Sequence, residues 1–352
     1  MRYFSSENKL KFHKEPNTFD KYTPIDVLKY AIGANMYMPA IQKEVFNKLI
    51  SNKYQDVGAI TLCMEDSIDE SMVPNAEICV FSLLEQLYEH AKITGQNDFP
   101  LIFIRVRNIS QFETFAEKLT RNHVKMLTGF TFPKFNSING DSYFTILKSL
   151  NDKYSESLYG MPIIEDRAVI YKESRFDELL RIQQILLKYD NMVLNIRVGG
   201  TDFSSLYGLR RDVNTTIYDL KVVADCLKDI LNFFTRHECQ YVVSGPVWEY
   251  YSWGEESKEV KSLKKELQLD IQNGFHGKTV IHPSQIDVVN RAYIVKYEDY
   301  LDAVKILESR DTGVFAGCCG NRMNEVNPHR NWANKIMAQA AIYGVADISV
   351  EV

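Results

Sequence analysis

Eight short runs rich in β-branched and aromatic residues alternate with longer amphipathic stretches between residues 35 and 307. That count predicts an α/β fold, a (β/α)8 TIM barrel, with a C-terminal helical extension. Two further observations favour the barrel over an open doubly wound sheet. No G-x-G-x-x-G occurs, although an open sheet usually has a glycine-rich first turn. Charged residues of both signs also recur at the C-terminal ends of the runs, where barrels collect their chemistry.

Taken in order, residues 1–30 are polar and charged and read as a lead-in, without the apolar segment of a secretory leader. The first strand is expected at Asn35–Pro39, followed by a helix with Ile41, Val45, Phe46, Leu49 and Ile50 on one face. Gly58–Met64 precedes a helix over 75–92, Leu101–Arg107 one over 111–122, and Leu127–Lys134 one over 137–154. After Met161–Glu165, Leu179, Leu180, Ile182, Ile185, Leu186 and Leu187 cover a wide helical face. Met192–Val198 leads to the i, i+3, i+4, i+7 series Ile217, Leu220, Val223, Ala224, Leu227 and Leu231. Gln240–Ser244 with a helix over 258–273, and Thr279–His282 with one over 284–307, complete a barrel domain of residues 31–307. The surplus, 308–352, places Gly313, Gly317 and Gly320 before a helix near Trp332–Tyr343 and reads as a C-terminal cap or arm.

Composition narrows the function. The chain is 352 residues, 45% hydrophobic and 25% charged, which excludes a disordered or collagen-like protein. A net charge of −5 argues against a general nucleic-acid surface, and no apolar run approaches a membrane span. Six cysteines without C-x-x-C read as reduced thiols of a cytoplasmic protein. The stretch Gly274 to Thr279 is not a phosphate loop, because the required first glycine is Gln272. H-E-x-x-H and G-x-S-x-G are also absent.

The ends of the expected strands carry the candidates. The second ends in Glu65-Asp66, the third in Arg105-Val-Arg107-Asn108, the fourth in Pro133-Lys134, the fifth in Glu165-Asp166-Arg167. The sixth runs through Gly199-Gly200-Thr201 to Asp202. Glu165 and Asp202 form a natural Mg²⁺ pair, since that ion takes one or two carboxylates and completes its octahedron with water and substrate. The competing reading pairs Glu165 with Arg167 or Arg197 and makes Asp202 a helix cap. Arg105 and Arg107 share a strand face, and either fork suits a substrate carboxylate. A structural network with Glu65 and Asp66 is the alternative.

The run Gly274-Phe-His-Gly-Lys-Thr-Val-Ile-His-Pro-Ser-Gln-Ile286 resembles the G-x-x-G-K-x-x-I-H-P-x-Q-I stretch of the HpcH/HpaI aldolase and citrate lyase β-subunit-like family, which includes malyl-CoA lyase. Tyr37-Met-Pro39, Met64-Glu-Asp-Ser-Ile68, Ile104-Arg-Val-Arg107, Phe132-Pro-Lys134, Ile164-Glu165 and Gly200-Thr-Asp-Phe-Ser-Ser-Leu-Tyr-Gly208 are similar to its other blocks, in the same order. Val243-Ser-Gly-Pro-Val-Trp-Glu249 and the tail from Arg322 to Ala333 resemble a divergent branch associated with tellurite-resistance-type gene clusters. The resemblance implies a Mg²⁺-dependent carbon–carbon lyase that cleaves a β-hydroxy acyl compound or hydroxy acid reversibly and gives a keto acid. It implies Glu165 and Asp202 as metal ligands and Arg105 as the substrate clamp with Glu65 orienting the site. Arg107, Lys134, Gly200 and Thr201 would complete the substrate contacts, and Glu325 would reach a neighbouring subunit's site as an acid in a trimer or hexamer.

Three departures argue against a coenzyme A thioester as the substrate. Pro39-Ala-Ile-Gln42 lacks a basic residue, Arg107 stands where asparagine is usual, and the tail reads Met323-Asn-Glu325 rather than M-I-D. Two other readings stay open: a class II pyruvate-type aldolase with His282 as base, and a non-catalytic metabolite-binding barrel in a stress-response pathway.

Overall fold

Along each parallel strand successive side chains alternate between the barrel interior and the surrounding helices, so the register of neighbouring strands decides which residues meet inside. The structure is a computed structural model that describes residues 1–4, 10–51, 56–309, 313–320 and 322–349. β1 (Phe12–Lys14) lies outside the main sheet. β2 (Ala34–Pro39), β3 (Ala59–Cys63), β4 (Leu101–Arg105), β5 (Gly129–Phe132), β6 (Tyr159–Ile164), β7 (Arg197–Val198) and β8 (Lys278–Val280) form one sheet in the order β7-β6-β5-β4-β3-β2-β8. Its pairs are parallel, with Cys63 opposite Arg105, Arg105 opposite Thr131 and Ile163 opposite Arg197.

The ring closes through segment 241–245, which forms isolated bridges rather than the regular strand expected there. Val243 bridges Ile196 on one side, and Gly245 bridges Lys278 on the other. The Ile196 N–H donates to the Val242 carbonyl at 2.9 Å, and the His276 N–H to the Val243 carbonyl at 2.8 Å. Pro246 has no N–H to extend this ladder. The expected run Met192–Val198 opens on a 3₁₀ turn at Asp190–Met192, carries isolated bridges at Val193 and Ile196, and is regular strand only at β7.

Two expected helices divide. After Ile109–Lys118, Thr120 accepts a hydrogen bond from the His123 N–H while the His123 ring accepts from the Thr120 N–H, and this box starts a new helix, Arg121–Met126. The stretch after β8 becomes a 3₁₀ turn at Pro283–Gln285, then Ile286–Arg291 and Tyr297–Glu308. The outward faces of β5 and β6 pack on aromatics: Phe130, Phe132, Phe112 and Phe144 are fully buried.

The polar lead-in contributes to the core. Tyr3 is fully buried, donates to the Ala31 carbonyl at 2.8 Å and stacks on Tyr343 at 4.9 Å. β1 pairs antiparallel with β11 (Val345–Ala346), while β9 (Val314–Ala316) and β10 (Met323–Glu325) make a hairpin. A second apolar cluster joins Val295, Ala303 and Ile306 to Ala333, Ile336, Ala340 and Val345, so Tyr297–Glu308 packs against the last helix, Val326–Tyr343. Among the described residues no helix is long and apolar enough to cross a membrane.

Candidate active site at the barrel mouth

Arg105 ends β4 on its inner face, with Cys63 of β3 opposite. It is buried, and its Nη2 lies 2.7 Å from Glu65 Oε2, 3.3 Å from Asp66 Oδ2 and 3.2 Å from Glu165 Oε1. Lys134 follows β5 in a left-handed conformation, φ 47°, which costs a non-glycine residue about 1–2 kcal/mol. That turn lets one residue reach all four acids through its backbone and its side chain. Its backbone N–H donates to Glu165 Oε1 at 2.9 Å, while Nζ reaches Glu65 Oε1 at 2.6 Å, Asp66 Oδ2 at 3.2 Å and Asp202 Oδ1 at 3.9 Å. Glu165 leaves β6 at a level where a Cβ on Gly199 would collide with its side chain. Gly199 therefore makes room for the carboxylate, and Asp202 follows in the first turn of the short helix Gly200–Ser205.

Charge is unbalanced here. With every carboxyl ionised, Glu65, Asp66, Glu165 and Asp202 outnumber Arg105 and Lys134 by two charges. Burial pushes the Glu165 carboxyl up to about 8; Arg105 opposes this and the Asp202 carboxylate adds to it. Burial also raises Glu65. For Asp66 the burial effect is outweighed by the hydrogen bond with Glu65 and the charges of Arg105 and Lys134, so its pKa falls. A buried carboxyl and a half-exposed carboxylate that repel each other suit a divalent cation. Among the described residues no three His, Cys, Asp or Glu side chains are arranged to hold a metal. The donor set thus fits Mg²⁺ bound by two carboxylates, with water and substrate supplying the rest, and does not fit a closed protein cage.

The remaining sequence candidates fall as follows. Gly200 is buried and Thr201 exposed at the start of the same short helix. Arg107 stands apart from the cluster: its N–H donates to Gln111 Oε1 at 3.1 Å, and its Nη2 lies 3.8 Å from Glu70. Neither Arg167 nor Arg197 pairs with Glu165, whose cationic partner is Arg105. Glu325 ends β10, and its N–H donates to His329 Nδ1 at 3.0 Å; among the described residues it makes no ion pair with the mouth cluster. His282 is used as a cap. Its Nδ1 accepts from the Ser284 N–H, and its ring stacks on Tyr251 at 4.2 Å. Asp66 is the cluster member that strand periodicity does not single out, because neighbours on a strand face opposite ways and only the turn after Cys63 brings both acids to one side.

The most distinctive run in the sequence is structural. Gly274 ends the helix Lys258–Asn273 at φ 102°. Lys278, fully buried, faces that helix and pairs with Glu266 at 2.9 Å and Asp270 at 2.7 Å. Gln285 accepts from the N–H groups of Ile281 and His282 and donates to the carbonyls of Trp248 and Tyr250, tying two mouth loops together.

Comparison with known proteins bears on the fold and the family. Among solved structures, CitE from Mycobacterium tuberculosis, in complex with magnesium, acetoacetate and coenzyme A, superposes with a TM-score of 0.55 at 18% identity, covering 89% of this chain and 99% of its own. RipC from Yersinia pestis gives 0.51 at 15% identity, with 75% and 95% covered. These likenesses concern the fold. Among curated proteins none matches the sequence. The family described as C-C bond lyase of the TIM-barrel fold matches residues 26–345. The chain belongs to that family and is, by that membership, a carbon–carbon lyase.

Proposed function

We propose that this lyase is Mg²⁺-dependent and cleaves a β-hydroxy acid, or an acyl derivative of one, between its α and β carbons, giving an enolate and a keto acid. The observation that carries the reading is the convergence of four carboxyl groups on Arg105 and Lys134 at the mouth. Glu165 and Asp202 would hold the metal, which when bound supplies a Lewis acid for the substrate's oxygens. The M. tuberculosis CitE structure, which contains magnesium and acetoacetate, supports that choice of ion.

The chain's own residues divide the remaining work. Arg105, held by Glu65 and Glu165, presents its fork to the substrate carboxylate and to the oxygen that becomes anionic as the bond breaks. The Glu65/Asp66 pair, whose pKa values are pushed apart, receives the proton that leaves the substrate hydroxyl. Lys134 keeps that pair oriented. Gly200 and Thr201 line the approach. Because Glu325 makes no ion pair with this cluster in its own chain, a catalytic part for it requires a homo-oligomer in which the arm crosses to a partner. A monomer by sedimentation at micromolar concentration overturns that part alone.

The test is thermal shift with and without Mg²⁺, using pyruvate, glyoxylate, oxaloacetate and CoA thioesters on the wild type and Asp202→Ala. A keto acid is expected to stabilise the wild type only with Mg²⁺ and to leave Asp202→Ala unmoved. No ligand response in either protein overturns the proposal, and the thioester arm decides whether coenzyme A belongs in the site.

A further inference from the structure

Six cysteines run through the chain, and the folded arm brings two of them to its surface together. Cys318 and Cys319 are the corner residues of the turn between β9 and β10. There the Gly320 N–H donates to the Gly317 carbonyl at 2.9 Å, and the Gly317 N–H to the Arg322 carbonyl at 2.8 Å. The turn is fastened to the helix Tyr297–Glu308. Asp302 accepts from the Cys318 N–H at 2.8 Å and from Arg322 Nε at 2.7 Å, while Arg322 Nη1 reaches Asp299 at 2.7 Å. A Cβ on Gly317 would stand 2.9 Å from the Asp302 carboxylate, so this close approach requires glycine. Held in this way, the two thiols are exposed and their sulfurs lie 3.7 Å apart. The Cys319 thiol donates to Glu298 Oε1 at 3.1 Å. Cys63 and Cys226 are buried, and Cys79 and Cys239 are half-buried on other elements.

Three chemistries are open to such a pair, and the geometry separates them. A disulfide is strained, because adjacent Cα atoms are about 3.8 Å apart and unstrained bridges begin at about 4.4 Å. A metal cation finds too few ligands: among the described residues no three His, Cys, Asp or Glu side chains are arranged to hold one. It must also displace thiol protons, and the hydrogen bonds with Glu298 and Cys318 push the Cys319 thiol up to about 12. A trivalent metalloid oxyacid meets neither obstacle, since it needs two sulfurs and keeps an oxygen of its own. Sulfurs about 2.3 Å from one centre at tetrahedral angles stand about 3.8 Å apart, and the pyramid of trivalent arsenic is slightly narrower. We propose that Cys318 and Cys319 are a chelating seat for a trivalent metalloid oxyacid such as arsenite, As(OH)3. Two As–O bonds break and two As–S bonds form. The thiol protons leave with the displaced hydroxides as water, the third hydroxyl stays on arsenic, and nothing is oxidised or reduced. Glu298 accepts the Cys319 proton on its way to the departing hydroxide.

The experiment titrates the fully reduced protein with arsenite and counts arsenic per chain by native mass spectrometry, with free thiols counted in parallel by a disulfide reagent. The wild type is expected to take one arsenic per chain and to lose two titratable thiols. Cys318→Ser and Cys319→Ser should each weaken binding at least tenfold, with circular dichroism and melting temperature unchanged because both side chains are exposed. Cys79→Ser and Cys239→Ser should bind as the wild type does. A synthetic peptide of residues 313–323, in which no helix pins the turn, should bind at least tenfold more weakly than the folded protein. Equal affinity of peptide and protein overturns the claim of a built seat. Arsenic uptake that survives in both serine variants overturns its location, and no uptake at micromolar arsenite overturns it altogether. Two further arms test the other chemistries. Zn²⁺ protecting the same two thiols at a lower concentration than arsenite, or glutathione disulfide converting them into a stable bridge, overturns the preference for an oxyacid.

Discussion

Arg105 and Arg107 are two positions apart on one predicted strand and acquire unrelated surroundings. The strand ends at Arg105, so the alternation that would have put both on one face stops before Arg107, which turns to Gln111 and Glu70. Replacing Arg105 by Gln is expected to weaken Mg²⁺-dependent ligand binding at least tenfold more than the same change at Arg107, measured by calorimetry. Gly199 is the other sensitive position. Gly199→Ala pushes a methyl into the Glu165 side chain and should abolish the Mg²⁺-dependent thermal shift while leaving the circular dichroism spectrum unchanged. Glu65, Lys134, Glu165 and Asp202 were legible because a barrel gathers its strand ends at one face. The separation of Arg107 from them was not, since where a strand ends depends on pairing with its neighbours and not on local pattern.

At the scale of elements, what the sequence showed clearly and what it hid have physical causes. Strands β2 to β6 are buried almost throughout and, apart from Asn35, Thr61, Arg105 and Thr131, read as near-continuous apolar runs. Segment 241–245 is held by bridges to residues distant in sequence, which no local pattern reports. The division at Thr120 depends on a reciprocal cap within a stretch whose helical period continues on both sides. The latch between β8 and the helix Lys258–Asn273 gives a direct prediction. Lys278→Ala leaves the buried Asp270 without its cation and should cost about 3–5 kcal/mol in urea unfolding, with cluster residues at the mouth untouched.

Across the whole molecule, the attachment of the last helix depends on pH. His276 is buried between the Tyr30 carbonyl, 3.0 Å from Nε2, and Gln339 of the helix Val326–Tyr343, 3.0 Å from Nδ1. Burial, with a smaller contribution from the Lys335 charge, lowers its pKa from 6.5 to about 3. Between those values the unfolded chain takes up a proton that the folded one refuses, so stability present above pH 6.5 is lost as the pH falls toward 3. The loss at pH 5 is about 2 kcal/mol. His276→Gln should flatten the stability profile between pH 5 and 7, measured by urea unfolding. Truncating Tyr3 to Ala should cost about 3–5 kcal/mol, because the ring fills the space between Gly58 and Tyr343.

The pairing of β1 with β11, and of Tyr3 with Tyr343, bears on how the protein is made. Residues 12–14 leave the ribosome long before residues 345–346 exist, and contacts so far apart in the chain form late. Throughout synthesis Tyr3 lacks the ring it will stack on, open to chaperones and to proteases. Nascent chains arrested before Tyr343 should be cut near their beginning by a protease that leaves the released protein intact there.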